Sequence, residues 1–269
     1  MDGHRSDTIP TNLRLLLVLE EVAKAGVAVT PTEVNARLGL PKPTIHRLFA
    51  TLVEEGFLHR EMGGRSYIPA RRLRALAGGV LSSAHIRTAR QAILRRLSSD
   101  IGETCNVAIP DGGSMIYLER VETEWPLRIQ LPTGTRVPLY CTASGKMFLS
   151  TLSQRALDAY LRSTKLDARA AGTFTSRSEL LGALSEIRAN GYSTDRGEFM
   201  SDMVALAVPV QDNNGRLMAT LSFHAPTQRM DLDTGLKWLP RLQAAAAEMS
   251  SLIEDVPPES DAVGALGNL

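Results

Sequence analysis

The residues best placed to do chemistry stand close together: Lys42, Pro43, Thr44, His46, Arg47 and Thr51. Among them Ile45, Leu48, Phe49 and Leu52 recur at helical spacing, so the polar set falls on the opposite face of one helix running from near Pro41 to Glu55. Such a face suits the major groove of duplex DNA. Arg47 can pair bidentately with guanine, Lys42 can reach guanine or phosphate, and Thr44 and Thr51 can donate to phosphates or touch thymine methyls. The amides at Lys42–Thr44, at the helix start, would favour a phosphate. Arg65, just past Gly63-Gly64, is placed to follow the DNA backbone or enter the minor groove. A second constellation is Cys141 as nucleophile with His224 as base. It rests on residue types alone, without a G-x-S-x-G, Walker or H-E-x-x-H motif.

The elements around the first constellation read clearly. Leu13, Leu16, Leu17, Leu19, Val22 and Ala23 have helical spacing and Gly26 stops them. Thr30, Pro31 and Glu33 form a capping box that opens a short helix with Val34 and Leu38 inward and Gly39 at its end. After the polar helix, Phe57–Arg60 and Arg65–Ile68 flank a Gly-Gly turn as a β-hairpin. Three helices and a hairpin make a winged helix-turn-helix, expected over residues 10–70. A linker helix is expected over 71–99, with Leu73, Leu76, Val80, Ile86, Ile93 and Leu97 apolar. Gly78-Gly79 weakens it, at about 1 kcal/mol per glycine.

Beyond Gly102 the pattern turns to strands and helices, an α+β domain expected over 100–255. Strands are expected at Thr104–Pro110, Met115–Val121, Leu127–Leu131, Val204–Val210 and Leu217–Phe223. Helices are expected at Ala143–Leu152, Gln154–Arg162, from a capping box at Ser176–Glu179 to Ala189, and from Asp231 to Glu254. The tail, 256–269, is expected to be disordered.

Charge divides along the same line. Residues 1–98 carry fifteen Lys/Arg against eight Asp/Glu, and the remainder fifteen against twenty-one. A basic front and an acidic back fit a nucleic-acid module joined to a part that does not touch nucleic acid. The two cysteines, Cys105 and Cys141, have no CxxC spacing, so neither a disulfide framework nor a metal site is expected, and no cofactor motif is present. No signal-peptide pattern follows Met1, and no apolar run reaches the ~20 residues that span a bilayer. A soluble cytoplasmic protein is therefore expected.

Several blocks, in order, resemble the IclR family of bacterial transcription regulators over roughly Asn12 to Asp255. They are Leu40–Phe49 (LPKPTIHRLF), Gly102–Ala108 (GETCNVA), Val137–Lys146 (VPLYCTASGK), Ile187–Asp195 (IRANGYSTD) and Ala207–Val210 (AVPV) with Asp212 and Gly215. The resemblance implies a winged helix-turn-helix, a linker helix and a GAF/PAS-like effector domain. It implies a homodimer, often a homotetramer, on palindromic double-stranded operator DNA, gated by a small organic acid. It also implies an effector site at Ala143, Ser144, Asp195, Ala205, Ser222 and His224, with Cys141 and Met203 nearby. The amides of Ala143 and Ser144 at a helix start favour a carboxylate on physical grounds too, and Ser222 and His224, two apart, share a strand face. Phe199, Met200 and Met203 are expected to form a lid. The chain departs from the family at Asp202, usually glycine, at Ala205, often cysteine, and at His224, often serine. Two readings of the pocket stay open: His224 protonated beside Asp195 against an anion, or Asp195 facing a hydroxyl, amine or onium group. An enzyme domain fused to a DNA-binding module, and a DNA-organising protein without a ligand, are the alternatives to a ligand-gated regulator.

Overall fold

The computed structural model describes residues 9–61, 64–81, 84–126 and 128–254. Met62, Gly63, Leu127 and the tail 256–269 lie outside them, as do the side chains of Val80 and Ile86. The chain divides into two compact units, Met1–Ala84 and His85–Leu269.

In the first unit, α1 (Arg14–Ala25), α2 (Pro31–Leu38) and α3 (Lys42–Glu54) precede a two-stranded hairpin, β1 (Leu58–Arg60) and β2 (Tyr67–Pro69). Glycines in left-handed conformation end α1 and α2, at Gly26 (φ 65°) and Gly39 (φ 64°), a backbone state that β-carbons disfavour. The Thr30 capping box is complete: Thr30 N–H donates to Glu33 Oε2 at 2.7 Å and Glu33 N–H donates to Thr30 Oγ1 at 3.3 Å. Ile45, Leu48, Phe49 and Leu52 of α3 are buried, together with Val18, Val22, Val34 and Leu58. Of the apolar residues expected to bury α1, Leu13 and Leu16 are instead exposed, and Val18 takes the central position. α4 (Arg71–Leu81) runs through Gly78 and Gly79 without interruption. Its start is fastened by Arg72, which pairs with Glu55 at 2.7 Å and lies 4.5 Å over the Phe57 ring.

The second unit begins on α5 (Ala84–Ile101); between it and α4 stand Ser82 and Ser83, outside the described residues, so two described helices occupy the span where one was expected. A six-stranded antiparallel sheet follows in the order β5-β4-β3-β8-β7-β6. Its strands are β3 (Thr104–Asp111), β4 (Ser114–Val121), β5 (Arg136–Pro138), β6 (Ser193–Arg196), β7 (Met203–Gln211) and β8 (Leu217–Pro226). Alternation along the strands gives two apolar faces. One carries Cys105, Val107, Leu206, Val208, Leu221 and Phe223 and is covered by α5, α9 (Leu232–Leu236) and α10 (Leu239–Glu254). The other carries Ala108, Tyr117, Ala205 and Ala207 and is covered by α6 (Ala143–Thr151), α7 (Gln154–Ser163) and α8 (Arg177–Asn190).

Two expected elements differ. Residues 128–131 form no strand; the Ile129 carbonyl accepts from Arg120 Nη2 rather than from a ladder, and prolines flank the segment at 126 and 132. The third strand is instead the short edge strand β5, which ends on Pro138, a residue unable to donate to a neighbour. The helix expected from Asp231 to Glu254 is two, α9 and α10, because Pro240 in the first turn of α10 cannot continue a preceding helix.

Candidate functional site

The exposed face of α3 carries Lys42, Pro43, His46, Arg47 and Thr51, with Thr44 half-buried. Several other cations of this unit are engaged: Arg37 with Glu21 at 3.0 Å, Lys24 with Glu21 at 3.2 Å and Arg72 with Glu55. Among the described residues, Lys42, His46, Arg47 and Arg65 have no such partner. A Lys or Arg held without a counter-ion on a rigid helix is free to release counter-ions from a phosphate chain or to fork onto a base. In the hairpin, Gly64 N–H bonds the Glu61 carbonyl at 2.9 Å and Arg60 Nε donates to Gly64 O at 2.6 Å, which presents Arg65 outward. One expectation is corrected: of the amides at Lys42–Thr44, Pro43 has none and Thr44 N–H is spent on the Pro41 carbonyl at 2.8 Å, so only Lys42 can offer an amide to a phosphate.

The second site lies where α6 meets the sheet. Thr142 caps α6, accepting from Gly145 N–H at 3.1 Å while donating to the Pro138 carbonyl at 2.7 Å. Ala143 and Ser144 are therefore the first helical residues, and their amides belong to the open, positive end of the helix dipole. α6 approaches closely because residue 145 is glycine: a β-carbon there would lie 2.4 Å from the Leu139 backbone. Under it, register places two rows of side chains on one sheet face. Asp195, Ala205 and His224 are successive cross-strand partners on β6, β7 and β8. Ser193, Ala207, Ser222, Asn106 and Arg120 form the neighbouring row. Ser144 Oγ donates to Ser222 Oγ at 3.2 Å, which ties the helix start to this face.

The electrostatics at the two ends of the rows differ. Asp195 is fully buried; burial pushes its carboxyl up to about 7, against a hydrogen bond from Glu198 N–H at 2.7 Å to Oδ1. Its Oδ2 is one of three buried side-chain oxygens without a hydrogen-bond partner among the described residues, with Ser193 Oγ and Glu119 Oε2. Beside it Lys146 and Glu198 form a buried ion pair, with Lys146 4.9 Å from the Phe174 ring centroid. At the other end, burial and the neighbouring Arg120 hold the His224 imidazole down to about 3.

The family models decide what this pair of sites belongs to. The IclR helix-turn-helix domain matches residues 13–61, and the bacterial transcriptional regulator IclR C-terminal domain matches residues 78–251. The chain belongs to the IclR family. It is 38% identical to a probable transcriptional regulator, SauR, of Cupriavidus necator, over 88% of this chain and 94% of that one. It is 30% identical to the transcriptional repressor IclR of Escherichia coli, over 88% and 87%. Among solved structures, Thermotoga maritima IclR matches with a TM-score of 0.60 at 26% identity, covering 90% of this chain and 97% of that one. This IclR-family chain is thus a transcription regulator with a DNA-binding helix-turn-helix and an effector domain.

Within that frame the structure brings together Ala143, Ser144, Ser222, Ala205, Asp195 and His224, and it revises their expected relations. His224 does not sit beside Asp195: Ala205 on β7 intervenes, and the imidazole is neutral rather than held protonated. Its ring instead meets Asn106 Nδ2 at 3.1 Å and Arg120 Nη2 at 3.5 Å. Met203 is not in a loop; it opens β7, buried, and by alternation lies on the same face as Ala205. Phe199 packs partly buried against that core, while Met200 is exposed, so the three do not form one lid. Cys141 is buried behind the α6 cap, and burial pushes its thiol up to about 12. Burial thus works against Cys141 as a nucleophile and against His224 as its base. Sequence reasoning left Asn106, Arg120, Lys146 and Glu198 unassigned. Asn106 and Arg120 face each other across the local β3–β4 hairpin, but only the pairing of β3 with β8, more than a hundred residues apart, brings them to His224.

Proposed function

We propose that the chain is a ligand-responsive regulator whose winged helices, brought together in a homodimer that can pair into a homotetramer, grip the two halves of a palindromic operator. In this reading Lys42, Pro43, Thr44, His46, Arg47, Thr51 and Arg65 meet the DNA. A small organic acid from a catabolic pathway sits against Ala143, Ser144, Asp195, Ala205, Ser222 and His224, with Met203 and Cys141 in the surrounding wall. The exposed Leu13 and Leu16 of α1 and Leu76 of α4 support self-association, since a second copy would remove them from water. The buried thiol at Cys141 and the depressed His224 favour a sensor over an enzyme, and such a role places the chain with the chromosome in the cytoplasm. No described helix is long and apolar enough to cross a membrane. We take 10–70 as the DNA-binding domain, 71–99 as the linker and 100–255 as the effector domain.

The unpaired cation set on α3 carries the DNA-reading half. The test is a gel shift of duplex DNA from upstream of the chain's own gene at moderate salt. Arg47→Ala should erase roughly 1–3 kcal/mol of discrimination between the operator and a scrambled duplex. Arg65→Ala should weaken both duplexes alike. Failure of the unaltered dimer to shift the upstream DNA, or equal behaviour of the two variants, would refute the assignment.

A further inference from the structure

The hydrogen bonds around His224 can be followed proton by proton. Arg120 Nη1 donates to Asn106 Oδ1 at 3.0 Å, which turns the Asn106 amide nitrogen toward His224 Nδ1 at 3.1 Å. Nδ1 must then accept, and a neutral imidazole carries its one proton on Nε2. Nε2–H in turn faces Arg120 Nη2, another donor, at 3.5 Å. Two N–H donors cannot satisfy each other, so they need a shared acceptor. The Ile129 carbonyl is placed to be that acceptor: Arg120 Nη2 donates to it, and it lies near enough to the His224 ring to favour a proton there.

This donor pair is buried, with the Arg120 side chain 3% exposed. It also has cationic surplus, because Arg120 (3.2 Å) and Arg128 (2.8 Å) both lean on the single carboxylate of Glu122. It belongs to the site described above: His224 is two residues from Ser222 on β8, and Arg120 stands two strands away, about 10 Å at roughly 4.8 Å per strand. Ile129 sits on irregular chain between β4 and β5 rather than in the ladder, so its carbonyl can leave without breaking the sheet.

Resting on the effector reading above, we propose that Arg120 and His224 form a second, anion-binding subsite filled in this structure by the Ile129 carbonyl, and that the effector is a short molecule with two acid groups. One acid group lies at the Ala143 and Ser144 amides. The other displaces the Ile129 carbonyl and accepts from the guanidinium and the imidazole. A carboxylate there makes charge-assisted bonds, roughly twice as strong as those to a neutral carbonyl.

The test is calorimetric titration of the full chain at pH 7 with succinate and glutarate, against butyrate and valerate as single-acid probes of matched length. The diacids should bind at least tenfold more tightly. Arg120→Gln should remove that advantage, and Arg120→Lys, which keeps the charge without the fork, should retain part of it. If Arg120→Gln melts early in the absence of ligand, His224→Asn serves instead and should show the same loss. Equal affinity for one and two acid groups, or a diacid preference that survives these changes, would overturn the second subsite while leaving the acid pocket standing. Binding of neither series would overturn the pocket reading and this proposal together.

Discussion

His224→Gln should make the stability of the chain fall, relative to the unaltered protein, as pH rises from about 3 to about 6.5. Two buried groups oppose each other in that range. The His224 ring titrates near 3 when folded against 6.5 as the ordinary value, so its share of stability is complete above pH 6.5 and is lost as pH falls toward 3. Asp195 works the other way. Folded, it keeps its proton to about pH 7, against an ordinary value of 3.8, so its share is complete below pH 3.8 and is lost as pH rises toward 7. Each shift is a little over three pKa units, or roughly 4–5 kcal/mol at about 1.4 kcal/mol per unit. In the native chain the two nearly cancel between pH 4 and 6.5. Removing the imidazole exposes the aspartate slope. Asp195→Asn exposes the opposite one, with stability rising between pH 3.8 and about 7 relative to the unaltered chain. Other ionisable groups drop out of these differences. Urea unfolding at pH 4.5, 5.5, 6.5 and 7.5 measures them, and parallel profiles for all three proteins would contradict the burial argument.

Lys146→Met should cost about 3–5 kcal/mol of unfolding free energy. The Lys146 and Glu198 side chains are 3% and 4% exposed, and they pair with each other inside the effector domain. Taking the ammonium away leaves a carboxylate whose pKa burial already raises, and removing one partner of a buried pair typically costs that much. The double change Lys146→Met with Glu198→Leu should recover most of the loss, because replacing both charges with apolar groups leaves no uncompensated ion. Denaturant titration checks both. A single variant that loses less than about 1 kcal/mol would mean that water or another group satisfies Glu198. The loop bearing Glu198 also positions Asp195, through the bond from Glu198 N–H to Oδ1, so the single variant should disturb ligand binding as well as stability.

What was legible in the sequence was local. The Thr30–Glu33 box, the buried stripe of α3 and the turn at Asp212, whose Oδ1 accepts from Asn214 and Arg216 N–H, are all set by neighbours within a few residues. The Ser176 cap was half legible: its hydroxyl accepts from Glu179 N–H, but it pairs with Ser178 Oγ, and no reciprocal Glu179 bond closes the box. What was not legible needed strand order. Nothing local says that Thr104–Ala108 lies beside Thr220–His224, and that adjacency creates the Asn106, His224 and Arg120 network. The same limit explains the misplaced third strand: apolar residues after Pro126 look strand-like, but an arginine side chain claims the Ile129 carbonyl. The reading that placed a protonated His224 beside Asp195, one of the two left open, fails for the same reason, since spacing along a chain cannot reveal that a third strand runs between two others.

The family resemblance supplied the site, and register supplied its electrostatics. In the proposed reading, coupling from that site to the DNA would run along the chain through α5, which the sheet holds through the buried Arg90–Glu119 pair at 2.7 Å and through Ile93, Leu94 and Leu97. Glu119 and Arg120 are consecutive on β4, so a ligand that shifted the strand at Arg120 would also shift the residue that grips α5. The measurement that tests this coupling most directly is fluorescence anisotropy of the operator duplex with the full chain, with and without a saturating acid shown by calorimetry to bind. The account predicts that the acid shifts operator affinity by about 5–150-fold, a coupling of roughly 1–3 kcal/mol. An acid that binds the chain while leaving its affinity for the operator unchanged would contradict it.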